Sequence, residues 1–148
     1  MPYVIGIILA LATVALGRSV GFDRDRAFYP VVLIITASYY VLFAVMGGST
    51  SALIIELIVM TAFVAAAVGG FKFNIWLVVA AMAGHGVFDL LRGYFITNPG
   101  VPVWWPPFCL AYDVGIAALV AIVIRGHKRE LTRNTVLAQD KTELSRGL

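Results

Sequence analysis

The chain has 148 residues, 61% of them hydrophobic and 13% charged, with a net charge of +3 and a mean hydropathy of +0.93. Soluble domains are about half apolar and about a quarter charged, so this composition excludes an ordinary soluble domain and marks its long uncharged runs as membrane spans. The small net charge leaves no footprint for nucleic acid, and the single cysteine, Cys109, excludes an internal disulfide framework and any CxxC redox or zinc motif.

Five apolar segments follow in chain order and predict an all-α integral membrane bundle of five transmembrane helices. The first, 2–17, lacks the positive leader and small-x-small cleavage pattern of a signal peptide and reads as a retained span. It is short unless it tilts little or extends past Arg18. The second covers 28–46. "GGSTS" then turns the chain, with glycines to reverse it and hydroxyls to cap the next helix. The third covers 52–70 and the fourth 74–96. "TNPGVPVWWPPF" follows as a loop, because its prolines and glycine do not continue a helix. The fifth covers 107–124 and starts at Pro107, a residue tolerated in a first turn. Residues 1–124 thus form one transmembrane domain, and 125–148 a polar tail that continues the helix and frays.

Basic residues set the orientation. Arg18, Arg24 and Arg26 lie between spans one and two, and Lys72 between three and four. Arg125, Lys128, Arg129, Arg133, Lys141 and Arg146 follow span five. All of these fall on one side of alternating spans, leaving Arg92 alone at the end of span four. The positive-inside rule therefore predicts an outside N-terminus and a cytoplasmic C-terminus in a multi-pass protein of the plasma (inner) membrane.

The polar groups inside the spans are few and share one half of the bilayer. At about 1.5 Å per residue, His85 lies near the midplane, with Asp89 and Arg92 successively further out. Glu56 lies about one turn below the outer surface, Tyr112 and Asp113 one to two turns below it, and Tyr39 and Tyr40 reach the middle. A charge at a span centre costs about 2.5–3.5 kcal/mol on insertion scales, so these side chains should face one another or water inside the bundle. His85, Asp89 and Arg92, at i, i+4 and i+7, lie on one stripe of span four. Gly84, Gly86 and Gly93 of span four and Ala111, Gly115 and Ala118 of span five are expected to allow close packing there. The result is a polar chamber opening outward, rimmed by Trp104 and Trp105, which also suit the role of interfacial anchors.

Three chemistries compete for this chamber. Paired carboxylates in a low-dielectric pocket can divide the roles of acid and base, with Asp89, Asp113, Glu56 and His85 as catalytic candidates. Arg92, Tyr112, Tyr39, Tyr40, Asn98, Trp104 and Trp105 then contact the ligand, a small lipophilic molecule, in isomerase- or cyclase-like chemistry. No cofactor is required, but a divalent metal on His85, Asp89, Glu56 and Asp113 is the second reading. The third is a proton-coupled or cation-binding transporter component, for which the featureless opposite halves of the spans ("VAIVI", "AFVAAAV", "IWLVVAA") provide no path unless a homo-oligomer supplies one. Against all three stands a purely structural role, in which the polar groups hold helices together or tie an accessory subunit to its complex. Three acids against one arginine leave excess negative charge, which protons or a cation must balance. Cys109 reads as a small packing residue.

The pattern His85-x3-Asp89, Asn98–Pro99, Cys109-x3-Asp113 resembles an uncharacterised family of small bacterial multi-pass membrane proteins that carry the same elements in their last two spans. The resemblance implies a site in this region and no particular reaction. Arg92 stands where that family often carries histidine, which weighs against a metal.

Overall fold

A computed structural model describes residues 1–146 as five helices: α1 (Pro2–Val20), α2 (Phe28–Met46), α3 (Thr50–Lys72), α4 (Ile75–Leu91) and α5 (Trp105–Arg146). Among the described residues there is no strand, and all five helices are long and apolar enough to cross a membrane. The chain is therefore a multi-pass membrane protein by architecture. Its surface is inverted relative to a soluble protein. Ile5, Ile8 and Leu11 of α1 and Ile54, Leu57 and Ile58 of α3 point outward, while Glu56, His85, Asp89, Arg92 and Asp113 are buried. Apolar surface costs nothing against acyl chains, whereas a charge does.

Local signals set the helix ends. Gly21 adopts the left-handed conformation (φ 85°) and closes α1 with its N–H on the Gly17 carbonyl. A residue with a Cβ resists that geometry. α1 thereby extends past Arg18 to Val20, three residues beyond the predicted end. Gly47 and Gly48 turn the chain, and the Ser49 side chain accepts the Ala52 N–H to cap α3. Asn74 caps α4 in the same way through the Trp76 N–H, at 3.0 Å.

Two boundaries differ from expectation. The fourth helix does not reach residue 96: α4 ends at Leu91 and tightens into a 3₁₀ turn over Arg92–Tyr94. The amides of Phe95 and Ile96 both close on the Arg92 carbonyl, and the chain then folds back over the end of α2. The fifth helix starts two residues early, at Trp105, because Pro106 and Pro107 occupy first-turn positions whose N–H groups need no partner. It continues without a break to Arg146. At about 1.5 Å per residue its 42 residues are roughly twice as long as a hydrocarbon core is thick, so the second half projects beyond the span. The tail is thus helical through Arg146. Residues 147–148, and the side chains of Lys128, Glu130, Asp140, Lys141, Glu143 and Arg146, lie outside the described residues.

α5 is the central helix and packs most extensively against α1 and α4, while α3 bridges α2 and α4. The close approach of α5 to α1 depends on small residues: a Cβ at Gly6 would lie 2.5 Å from the Phe108 carbonyl oxygen, and one at Gly115 3.0 Å from Ala10. Of the expected contacts between α4 and α5, Gly86 makes one, against Leu110 and Asp113. Gly84 and Gly93 face open space and Ala118 is exposed, so the small stripe of α5, with Ala111 and Gly115, serves α1 rather than α4.

The bundle has two unlike halves. At the end that holds the α1–α2 and α3–α4 connections, Ala10, Val14, Leu33, Val78, Met82 and Ile116 form an apolar core. Arg18, Arg24 and Arg26 gather there around a surface cleft. The other half holds the polar residues.

Candidate functional site

Every intramembrane charge lies in the half of the bundle that carries the α2–α3 turn and the loop between α4 and α5. The stripe of α4 places His85, Asp89 and Arg92 on its inner face, as their spacing requires. α5 presents Cys109 and Asp113, one turn apart, from across the interface. α3 contributes Glu56, α2 contributes Tyr40, and the loop contributes Asn98. Exposure is 1% or less for Glu56, His85, Asp89 and Asp113 and 3% for Arg92, so none of them faces lipid or bulk water.

These residues separate into two groups. In one, the Arg92 guanidinium pairs with the Glu56 carboxylate. Asn98 Nδ2 donates to Glu56 Oε1 at 3.2 Å and to the Tyr40 carbonyl at 3.1 Å, so the loop is tied to α3 and α2 together. Asn98 Oδ1 accepts the Gly100 N–H, and Gly100 sits so close to the Phe43 carbonyl that a Cβ would collide with it. The Asn98–Pro99–Gly100 turn is thus a plug over this pair. In the other group, His85 Nδ1 donates to Asp113 Oδ2 at 2.7 Å and lies 3.6 Å from Asp89 Oδ2. The Phe63 ring packs edge-on against the imidazole.

Tyr40 joins the two groups. Its ring lies 4.1 Å beneath the Arg92 guanidinium carbon, a cation–π contact. Its hydroxyl and the Cys109 thiol approach Asp89, although neither the Tyr40 hydroxyl nor either Asp89 oxygen completes a hydrogen bond. The Asp113 Oδ1 atom is also without a partner. Three buried carboxylate oxygens therefore remain unsatisfied beside a histidine, a costly arrangement in a low-dielectric interior.

Asp89 and Asp113 converge across the α4–α5 interface, but Glu56 does not join them. It belongs with Arg92, which removes it from the set of groups that reach one ion. Among the described residues, His85, Asp89 and Asp113 alone bring ligand atoms within 4.8 Å of one another. The chamber also differs from the sequence reading: the acids do not line it. A cavity of about 760 Å³ lies between α1, α2 and α5, lined by Leu9, Thr13, Ile35, Thr36, Tyr39 and Tyr112 among others. Trp104 and Trp105 stand on its wall, as does Cys109, which separates it from Asp89. Trp105 packs between Tyr39 and Phe43, tilted against the first ring and edge-on to the second, while Trp104 is half exposed. Of the expected ligand contacts, Tyr39, Trp104, Trp105 and Tyr112 line this cavity, whereas Arg92, Tyr40 and Asn98 belong to the buried polar groups.

Sequence reasoning missed two participants. Thr13, whose hydroxyl lies 3.2 Å from that of Tyr112, brings α1 into the cavity wall, and a single threonine in an apolar span gives no signal of this. Phe63 is likewise indistinguishable from its apolar neighbours. No protein family, curated protein or solved structure matches this chain.

Proposed function

We propose that this protein binds a small lipophilic molecule in the cavity between α1, α2 and α5. The cavity itself carries the reading. Its volume falls within the range of about 300–1,000 Å³ usual for small-molecule sites. Its walls are largely apolar, and the paired Thr13 and Tyr112 hydroxyls keep one proton between them to orient a ligand bearing a carbonyl or hydroxyl, while Thr36, whose hydroxyl donates to the Leu33 carbonyl, can only accept. We further propose a plasma (inner) membrane location with the N-terminus outside, on the basis of the clustered arginines and Lys72. The cavity then opens from the outer leaflet, where Trp104 sits at the interface.

Acid–base transformation of the ligand is the secondary part of this reading. His85, Asp89 and Asp113 are the groups that would move a proton, with Cys109 between them and the cavity. Transport is less well supported. Beyond Asp113 the bundle closes around Val78, Met82, Ile116 and Val120, with a void of about 10 Å³, scarcely room for one water.

Native mass spectrometry of protein released from mild detergent tests the binding. A lipophilic adduct should accompany the wild type and be lost in Leu9→Trp, which fills the cavity and leaves the polar groups untouched. A ligand-free wild type, or an adduct that survives the substitution, would refute it. An accessory subunit would instead arrive with a protein partner and no ligand. Labelling of Ser49→Cys from outside intact cells, with Ser19→Cys protected, tests the orientation.

A further inference from the structure

The groups buried between α4 and α5 remain unexplained by a ligand in the cavity. We infer that His85, Asp89 and Asp113 hold a divalent first-row transition-metal ion. This inference is independent of the ligand binding proposed above and takes the place of proton transfer by the same three residues.

The first argument is charge. Arg92 is already engaged by Glu56, so it does not balance the two aspartates. A doubly charged ion with two carboxylates and a neutral imidazole sums to zero, the state a low-dielectric interior favours. One proton on His85 leaves the group at minus one, and a second, on an aspartate, is needed to reach neutrality without the ion. The second argument is the unsatisfied atoms. Neither oxygen of Asp89 nor Oδ1 of Asp113 completes a hydrogen bond, although their residues are at least 99% buried and the Tyr40 hydroxyl and Cys109 thiol approach Asp89. The third is geometry. His85 and Asp89 share one face of α4 at i, i+4, and Asp113 meets them from α5, so two rigid helices hold the three groups. Ligand atoms about 2.0–2.2 Å from a tetrahedral ion lie roughly 3.4 Å apart. The separation of 3.6 Å between His85 Nδ1 and Asp89 Oδ2 is close to that value. The 2.7 Å between His85 and Asp113 is what a proton gives in the ion's place, and a small opening of the α4–α5 contact would admit the metal.

The donor set selects the class of ion. Magnesium and calcium take oxygen ligands, whereas an imidazole with two carboxylates suits zinc, manganese or iron. Exclusion of Glu56 sharpens the test, because it supplies an equally buried acid that does not belong to the site.

The experiment is elemental analysis of the full-length protein purified in mild detergent, followed by removal of metal with a chelator and titration with Zn²⁺ and Co²⁺. One equivalent of metal per chain is expected, as isolated or on titration, with the visible absorption of low-symmetry Co²⁺. Asp89→Asn and Asp113→Asn should each weaken binding at least tenfold, while Glu56→Gln should retain it. The wild-type titration needs no variant to fold. A helical, monodisperse wild type that takes up neither ion would overturn the inference, as would undiminished binding by Asp89→Asn.

Discussion

The ion pair between Glu56 and Arg92 gives the most quantitative test of how this bundle is held together. Replacing Arg92 with methionine keeps an apolar stem over the Tyr40 ring and removes the guanidinium. Glu56, whose side chain is 1% exposed, then retains a single donor, Asn98 Nδ2 at 3.2 Å. Breaking a buried pair from one side costs about 3–5 kcal/mol, mostly because a charge is left uncompensated. The lost cation–π contact belongs within that figure, at about 0.5–2 kcal/mol. Glu56→Gln in the same chain removes the stranded charge while leaving an oxygen for Asn98. The double variant should therefore lie only about 1–2 kcal/mol below the wild type, about 2–3 kcal/mol more stable than Arg92→Met alone. Unfolding by SDS in mixed micelles measures all four proteins, with Trp105, packed between Tyr39 and Phe43, as a fluorescent reporter near the site. If Arg92→Met were within half a kcal/mol of the wild type, or the double variant equalled the sum of the singles, the pair would not act as a closed neutral unit.

Two further substitutions probe how the cavity and the plug are built. Gly6→Leu places side-chain atoms where α1 meets the backbone of α5 at Phe108, and should cost about 1–3 kcal/mol in thermal unfolding in detergent while altering ligand retention in the cavity, which both helices line. Gly100→Ala should destabilise more than Asn98→Ala and increase proteolysis of the loop. The former forces a Cβ against the Phe43 carbonyl, whereas the latter forfeits the Asn98 hydrogen bonds for about 1–3 kcal/mol.

Much of this architecture is legible because the bilayer imposes a simple rule on sequence. The α2 boundaries follow from hydropathy alone, and α3 exceeds its predicted span by two residues at each end. Ser49 and Asn74 signal the starts of α3 and α4, since a cap uses a side chain beside its own backbone. The end of α4 is not legible in the same way. Arg92 leaves the helix in a 3₁₀ turn as the chain returns over α2 to seat Asn98, and that destination lies outside the local sequence.

The candidate site divides along the same line. Helical periodicity places His85, Asp89 and Arg92 on one face, and the cost of a charge in hydrocarbon turns that face inward, so burial of the cluster follows from the sequence by itself. Which acid meets which base does not, because pairing depends on the rotation and height of separate helices. Only the packed bundle assigns Glu56 to Arg92 and Asp113 to His85, and only it sets the apolar cavity apart from the acids, with Cys109 as the wall between them.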